Sequence, residues 1–253
     1  MTSPEIKLTT DTRGVATVSF QGLKGLNIMG SAEVEGLTDA IEAAAERENL
    51  RLLILTGAGE KAFIGGANIE EMSRLNPASA RSFITGLHEL CQAIRNLPVP
   101  VIAKVRGYCL GGGLEVAAAC DLRACSEDAK FGMPEVKVGL PSVIEASLLP
   151  HLMGWGRARE IIYTGRIFGA EEALRMGLVE KCVPAAKLDD AVEEWADTIL
   201  KCSPAAIRMQ KDLFRQWETL PPTEAARASI DLFAKSFDNG EPNEYLQKFL
   251  KKS

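Results

Sequence analysis

Two glutamates stand in settings that suit proton transfer: Glu115 in "CLGGGLEVAAACDL" and Glu135 in "FGMPEVKVGL". A pair of carboxylates flanking one cavity suits the addition or removal of water at an activated carbon. Two glycine turns could supply the rest of such a site. In "KAFIGGANIEEM", Gly65 and Gly66 let the backbone bend and Ala67 has almost no side chain. Asn68 is a good N-cap there, with Glu70 and Glu71 in the first turn. That geometry can leave the Ala67 N–H pointing into a cavity at a helix start. A helix beginning at Gly111–Gly113 would likewise point unsatisfied N–H groups forward, with Glu115 in its first turn on the same side. Ala67 and Gly112, from different loops, could together bind one oxyanion. Taken singly, each glycine stretch also reads as an ordinary turn into a helix. Glu135, fixed by Pro134, also reads as a surface-loop acid.

Hydrophobic periodicity outlines the elements that must position these residues. Residues 5–21 alternate as a hairpin turning near Thr12–Gly14. Residues 31–48 set Val34, Leu37, Ile41 and Ala45 on one helical face, opposite an acidic one. "LRLLILTG" reads as a buried strand and is followed by a short helix near 68–73. "SARSFITGLHELCQAIRNL" is a long helix ended by Pro98, and "VPVIAKVRG" a second core strand. After the glycines come a helix and short strands near Leu122–Cys125 and Lys130–Gly132. From Ser142 on the pattern is helical, with one strand at "LVEKCVP". The order predicts an α/β fold with a core over 1–195 and a helical region over 196–253.

Composition bounds the function. The 253 residues are 46% apolar and 25% charged, an ordinary globular balance. A net charge of −5 argues against a basic nucleic-acid face, though not against an anionic small molecule. The first residues contain no apolar core of a signal peptide, and no apolar run reaches the ~18 residues of a membrane helix. The expectation is a cytoplasmic protein with no membrane partner. Six scattered cysteines, none in C-x-x-C, read as reduced and mostly buried thiols. "LLILTGAGEKA" contains G-x-G-x-x-A, but "FIGG" follows instead of a helix, so a dinucleotide fold is set aside. His88 and His151 read as structural or surface residues, which leaves a Ser-His-Asp triad without support. No cluster has metal-ligand spacing.

At "KAFIGGANIEEM", "GYCLGGGLEVAAACDL" and "AKFGMPEVKVGL" the chain resembles the crotonase superfamily, the enoyl-CoA hydratase/isomerase group, from about residue 5 to 250. The resemblance implies a spiral of β-β-α units with a helical C-terminal trimerisation region, assembled as a homotrimer or dimer of trimers. It implies catalytic roles for Glu115 and Glu135 and an oxyanion hole made of the Ala67 and Gly112 N–H groups. It also implies substrate contacts at Lys24, Leu26, Ala62, Gly66, Asn68, Ile69, Gly111, Pro134 and Gly139. The substrate implied is an acyl-CoA thioester, with no metal and no cofactor beyond the coenzyme A that the substrate carries. Lys248, Lys251 and Lys252 either meet CoA phosphates or form a solvated tail. Both glutamates together point to the hydratase branch.

Some residues depart from the family pattern. After Gly139 the chain reads "LPSVIEASLLPHLMGWG" where relatives carry a glycine-rich turn. Ser142, Val143 and Ile144 replace small positions, and Glu145 either opens a helical turn or adds an acid at the acyl end of the pocket. Asn68 replaces a frequent aspartate, and Arg106 a usual asparagine. The resemblance leaves room for double-bond isomerisation, thioester hydrolysis, RNA binding or an inactive homologue. The RNA-binding branch uses a lysine-rich helix, whereas the corresponding helix here carries Glu33, Glu35, Asp39, Glu42 and Glu46 and no lysine.

Overall fold

In the computed structural model, which describes residues 5–22 and 25–251, the chain opens with the expected hairpin. Strand β1 (Glu5–Thr10) pairs antiparallel with β2 (Val15–Gln21), and the Gly14 N–H closes the turn on Asp11 O at 3.2 Å. A two-residue strand, β3 (Ile28–Met29), leads into α1 (Ser31–Ala45), which buries Val34, Leu37, Ile41 and Ala44 as one face.

A long strand, a short strand and a helix then recur. The first unit is β4 (Leu52–Gly57), β5 (Ala62–Ile64), the two-residue β6 (Gly66–Ala67), α2 (Ile69–Met72) and α3 (Pro77–Asn96). The second is β7 (Val101–Val105), β8 (Tyr108–Leu110) and α4 (Gly112–Ala119). The third is β9 (Leu122–Ser126) and β10 (Lys130–Gly132). Two 3-10 turns, Glu135–Val138 and Ile144–Leu148, then lead to α5 (Leu149–Met153) and α6 (Trp155–Thr164). The rest is β11 (Ile167–Gly169), α7 (Ala170–Met176), β12 (Lys181–Val183), α8 (Leu188–Leu200), α9 (Pro204–Thr219), α10 (Pro222–Lys235) and α11 (Glu241–Leu250). Sequence patterning expected one strand after Ser142, and the structure corrects this to two. β11 is three residues long, too short to carry a period. It is a strand because Phe168 pairs antiparallel with Phe131 of β10.

The long strands, joined at one edge by the three-residue β12, form one sheet in the order β1-β2-β4-β7-β9-β12, and the short ones a second sheet in the order β11-β10-β8-β5. Strand periodicity explains why the large sheet is buried on both faces. Leu53, Leu55, Val101, Ala103 and Val105 point into the main core beneath α1, α3 and α4. Their neighbours Leu52, Ile54 and Ile102 point the other way, onto Leu188, Val192 and Ala196 of α8. The division drawn between residues 195 and 196 therefore falls inside a helix that covers this sheet. Among the described residues no helix is long and apolar enough to cross a membrane.

Helix α9 docks through a buried lysine. Lys211 is 6% exposed, and its Nζ donates to Asp121 Oδ2 at 2.7 Å and to the Val99 and Ile94 carbonyls at 3.0 and 3.4 Å. Breaking such a pair leaves a carboxylate and two carbonyls without their donor. Lys211→Ala is thus expected to destabilise the protein by about 3 kcal/mol in a denaturant melt. Beyond that anchor, α9, α10 and α11 enclose an apolar groove of about 900 Å³, lined by residues that include Met209, Leu213, Phe233 and Leu246.

Candidate active site

The second sheet brings the three singled-out stretches together. β5 pairs parallel with β8, and β8 pairs parallel with β10. All three strands therefore end at the same edge, where α/β sheets typically bind ligands. β5 runs out into Gly65–Ala67, β8 into Gly111–Gly113, and β10 into Met133–Glu135. The register sets Gly132 opposite Leu110, and the Gly111 N–H donates to Gly132 O at 2.9 Å. Glu115 and Glu135 lie far apart in the chain, but this pairing places their loops side by side.

Each glycine loop presents main-chain donors. The Asn68 N–H donates to Met29 O at 2.7 Å, so alternation along the β3–β6 ladder turns the Ala67 N–H away from β3. The Asn68 side chain caps α2, accepting from the N–H groups of Glu70 and Glu71. In α4 the N–H groups of Leu114 and Glu115 both donate to Gly111 O. Gly112 and Gly113 precede them, and a first helical turn offers their N–H groups no carbonyl. A Cβ at Gly113 would lie 2.3 Å from Ile64 O, so only glycine lets α4 start this close to β5.

The carboxylates flank the Gly111–Gly112 unit. A Cβ at Gly111 would lie 2.5 Å from Glu135 Oε1, and one at Gly112 would lie 3.9 Å from Glu115 Oε2. Glu115 is 4% exposed, and its Oε1 accepts from the Ala146 N–H at 3.1 Å. Burial, with repulsion from Glu135 and more weakly from Glu145, pushes the Glu115 carboxyl up to about 8 against the partial offset of that N–H. Glu135 is half-buried, and its Oε2 accepts from the Ser142 hydroxyl at 2.8 Å.

The other expected contact residues occupy varied positions. Lys24 and Lys252 lie outside the described residues. Leu26 is half-buried and its carbonyl accepts from the Gly65 N–H. Gly66 is buried in β6. Ala62 is buried, with its carbonyl accepting from Asn27 Nδ2 at 2.7 Å. Ile69 is 64% exposed on α2. Pro134 precedes the 3-10 turn bearing Glu135, and Gly139 ends it in the left-handed region. Lys248 lies over the Tyr245 ring on α11. Asn27 escaped sequence reasoning. It is wholly buried at φ 52, accepts from the Gly22 N–H, and donates to the Ala58 and Ala62 carbonyls. It thereby ties the turn before β3 to the β4–β5 turn and the start of β5. A single turn residue among glycines gave no signal of this.

Residues 10–253 match the family model described as enoyl-CoA hydratase/isomerase. The chain belongs to the enoyl-CoA hydratase/isomerase family of enzymes. Among its relatives, the short-chain-enoyl-CoA hydratase of Clostridium acetobutylicum is 33% identical over 94% of this chain and 92% of that protein. The crotonyl-CoA hydratase of Syntrophomonas wolfei is 34% identical over 90% of this chain and 88% of that one. The crystal structure of an enoyl-CoA hydratase from Mycobacterium smegmatis superposes with a TM-score of 0.94 at 29% identity, covering 99% of this chain and 97% of its own. These likenesses bear out the crotonase fold expected from the sequence.

The segment after Gly139 carries backbone strain. Ile144 has φ 38, a left-handed conformation that a β-branched residue adopts only under strain, of about 1–3 kcal/mol. The next residue, Glu145, lies in the first turn of the 3-10 segment, as one sequence reading expected, but it is 5% exposed and packs against α3. His88 Nδ1 lies 2.9 Å from its Oε1, and Gln92 Nε2 donates to the same oxygen at 3.0 Å. All six cysteines are free; four are buried and Cys202 is exposed. Among the described residues no three His, Cys, Asp or Glu side chains gather as metal ligands would.

Proposed function

We propose that this protein is an enoyl-CoA hydratase, a hydro-lyase that adds water across the 2,3 double bond of a 2-enoyl-CoA thioester. The observation that carries this reading is the nearness of the Glu135 and Glu115 carboxylates to the adjoining Gly111 and Gly112 where α4 starts. The thioester oxygen lies between the Ala67 and Gly112 N–H groups. As the C3–O bond forms, the π electrons move toward that oxygen and negative charge grows there. Fixed donors oppose the charge without reorganisation, and losing one costs about 3 kcal/mol in barrier. Glu115 holds and activates the water whose oxygen joins C3, and Glu135 delivers the proton to C2. The product is a 3-hydroxyacyl-CoA. A site of this kind works when the pair carries one proton in total, and catalysis requires that proton to pass from Glu115, which burial favours as its holder, to Glu135. The titration therefore belongs to the couple, not to one residue.

The relatives named above as short-chain-enoyl-CoA and crotonyl-CoA hydratases support a short acyl chain. The apolar groove between α9, α10 and α11 supports assembly as a homotrimer or dimer of trimers. The decisive experiment incubates the protein with crotonyl-CoA. Hydration removes the absorbance of the conjugated thioester and adds the mass of one water to the product. Isomerisation would leave the mass unchanged, and hydrolysis would release free CoA. Either result would overturn the proposal.

A further inference from the structure

We infer that Glu145 is a positioning residue for Glu115, held by α3 so that the 3-10 turn containing it presents the Ala146 N–H to the Glu115 carboxylate. The inference rests on the catalytic role proposed for Glu115. Two residues of α3 converge on the Glu145 carboxylate: His88 at 2.9 Å and Gln92 at 3.0 Å. Their spacing of i and i+4 puts both on one helical stripe, so α3 offers a ready-made socket for a single acid. Glu145 is buried on that stripe, and Ala146, the very next residue, donates its N–H to Glu115 Oε1 at 3.1 Å. A shift of the Glu145 side chain therefore moves the donor on which Glu115 depends.

The preceding residue explains why such an anchor is needed. Ile144 sits at φ 38, a conformation that favours glycine, and its side chain packs against the core. Left to itself the segment would relax toward ordinary backbone angles and carry the Ala146 N–H away. On one side, the Ala146 N–H approaches Val143 O at 2.9 Å as well as Glu115. On the other, the α3 stripe grips Glu145. The hydrogen bonds of Glu145 all run to α3 side chains, so its role is to fix geometry and not to touch the reacting atoms.

The test compares kcat and KM for crotonyl-CoA hydration in Glu145→Ala, Glu145→Gln, Ile144→Gly, Glu145→Ala/Ile144→Gly, His88→Ala and Glu115→Gln. Glu145→Ala is expected to lower kcat by about 10- to 100-fold with KM nearly unchanged, as misplacing a catalytic group does. Glu145→Gln, which can still bond to Gln92 and His88, should stay within about threefold of the parent. Adding Ile144→Gly to Glu145→Ala should recover about tenfold, because glycine holds the left-handed angle without an anchor. If Glu145→Ala does not fold, His88→Ala serves instead, and it should show a smaller fall in kcat of the same kind. Folded Glu145→Ala with the kcat of the parent, a defect confined to KM, or no rescue by Ile144→Gly would each overturn the inference. So would an unchanged kcat in His88→Ala where that variant is used. A Glu115→Gln variant as active as the parent would instead sink the hydratase reading itself.

Discussion

Glu115→Gln is expected to lower kcat for hydration by about 10²- to 10⁴-fold and to stabilise the protein in alkali. The first effect follows if Glu115 handles water at C3, since an amide can hold water but cannot take its proton. The second follows from the raised carboxyl, at about 8 in the fold against an ordinary 4.5. Between those values the folded chain holds a proton that the unfolded chain releases, so stability falls as pH rises through that window and levels off above it. Full loss is about 5 kcal/mol at most, and glutamine abolishes the pH-dependent part. Thermal melts of parent and variant at pH 5 and pH 9 measure it: the gap should favour the variant only at the higher pH. In the parent, kcat/KM should decline above about pH 8 as the pair loses its last proton. A parent rate unaffected there, together with melts that run parallel, would remove Glu115 from the chemistry.

Gly111→Ala is expected to lower kcat by about 100-fold through Glu135. The new methyl would lie 2.5 Å from Glu135 Oε1, inside any permitted contact, and the flexible carboxylate must yield. Moving it breaks the bond from Ser142, which fixes the other oxygen at 2.8 Å. Gly111 also has φ 53 and ψ −125, so alanine adds backbone strain of about 1–3 kcal/mol, visible as a lower melting temperature. Gly154→Ala separates the two effects. Gly154, between α5 and α6, has φ 83 but open space around it, so that variant should lose stability while keeping its kcat. Equal rates in Gly111→Ala and Gly154→Ala would show that Glu135 has no part in turnover.

Periodicity was enough to find the long elements. The α1 face, save that Ala44 and not Ala45 is buried, the long helix α3, the doubly buried β4 and β7, and the capped helix after Ala67 all carry strong local signals and stand where expected. The turn residues Gly65–Gly66 and Gly111–Gly113 were equally legible, because only glycine suits such close backbone approach. What escaped were features made by long-range pairing. β3, β6 and β11 are two or three residues long and exist only through their partners. Asn27 matters through carbonyls at Ala58 and Ala62, more than thirty positions away. Ser142 and Glu145 were noticed as departures from a family pattern, but nothing near them in the chain announces Glu135 or the His88–Gln92 stripe as partners.

In the large sheet, spatial neighbours are successive strands of that sheet: β1, β2, β4, β7, β9 and β12 lie side by side in the order in which they are synthesised. Each arriving strand finds its mate already at the open edge, and no earlier pair must part to admit it. A chain leaving the ribosome can therefore assemble by accretion, closing one crossover at each step at a cost that grows only slowly with its length. Until the next segment emerges, the exposed edge is always the newest strand. α8, which covers the second face, is made only after the sixth strand is in place.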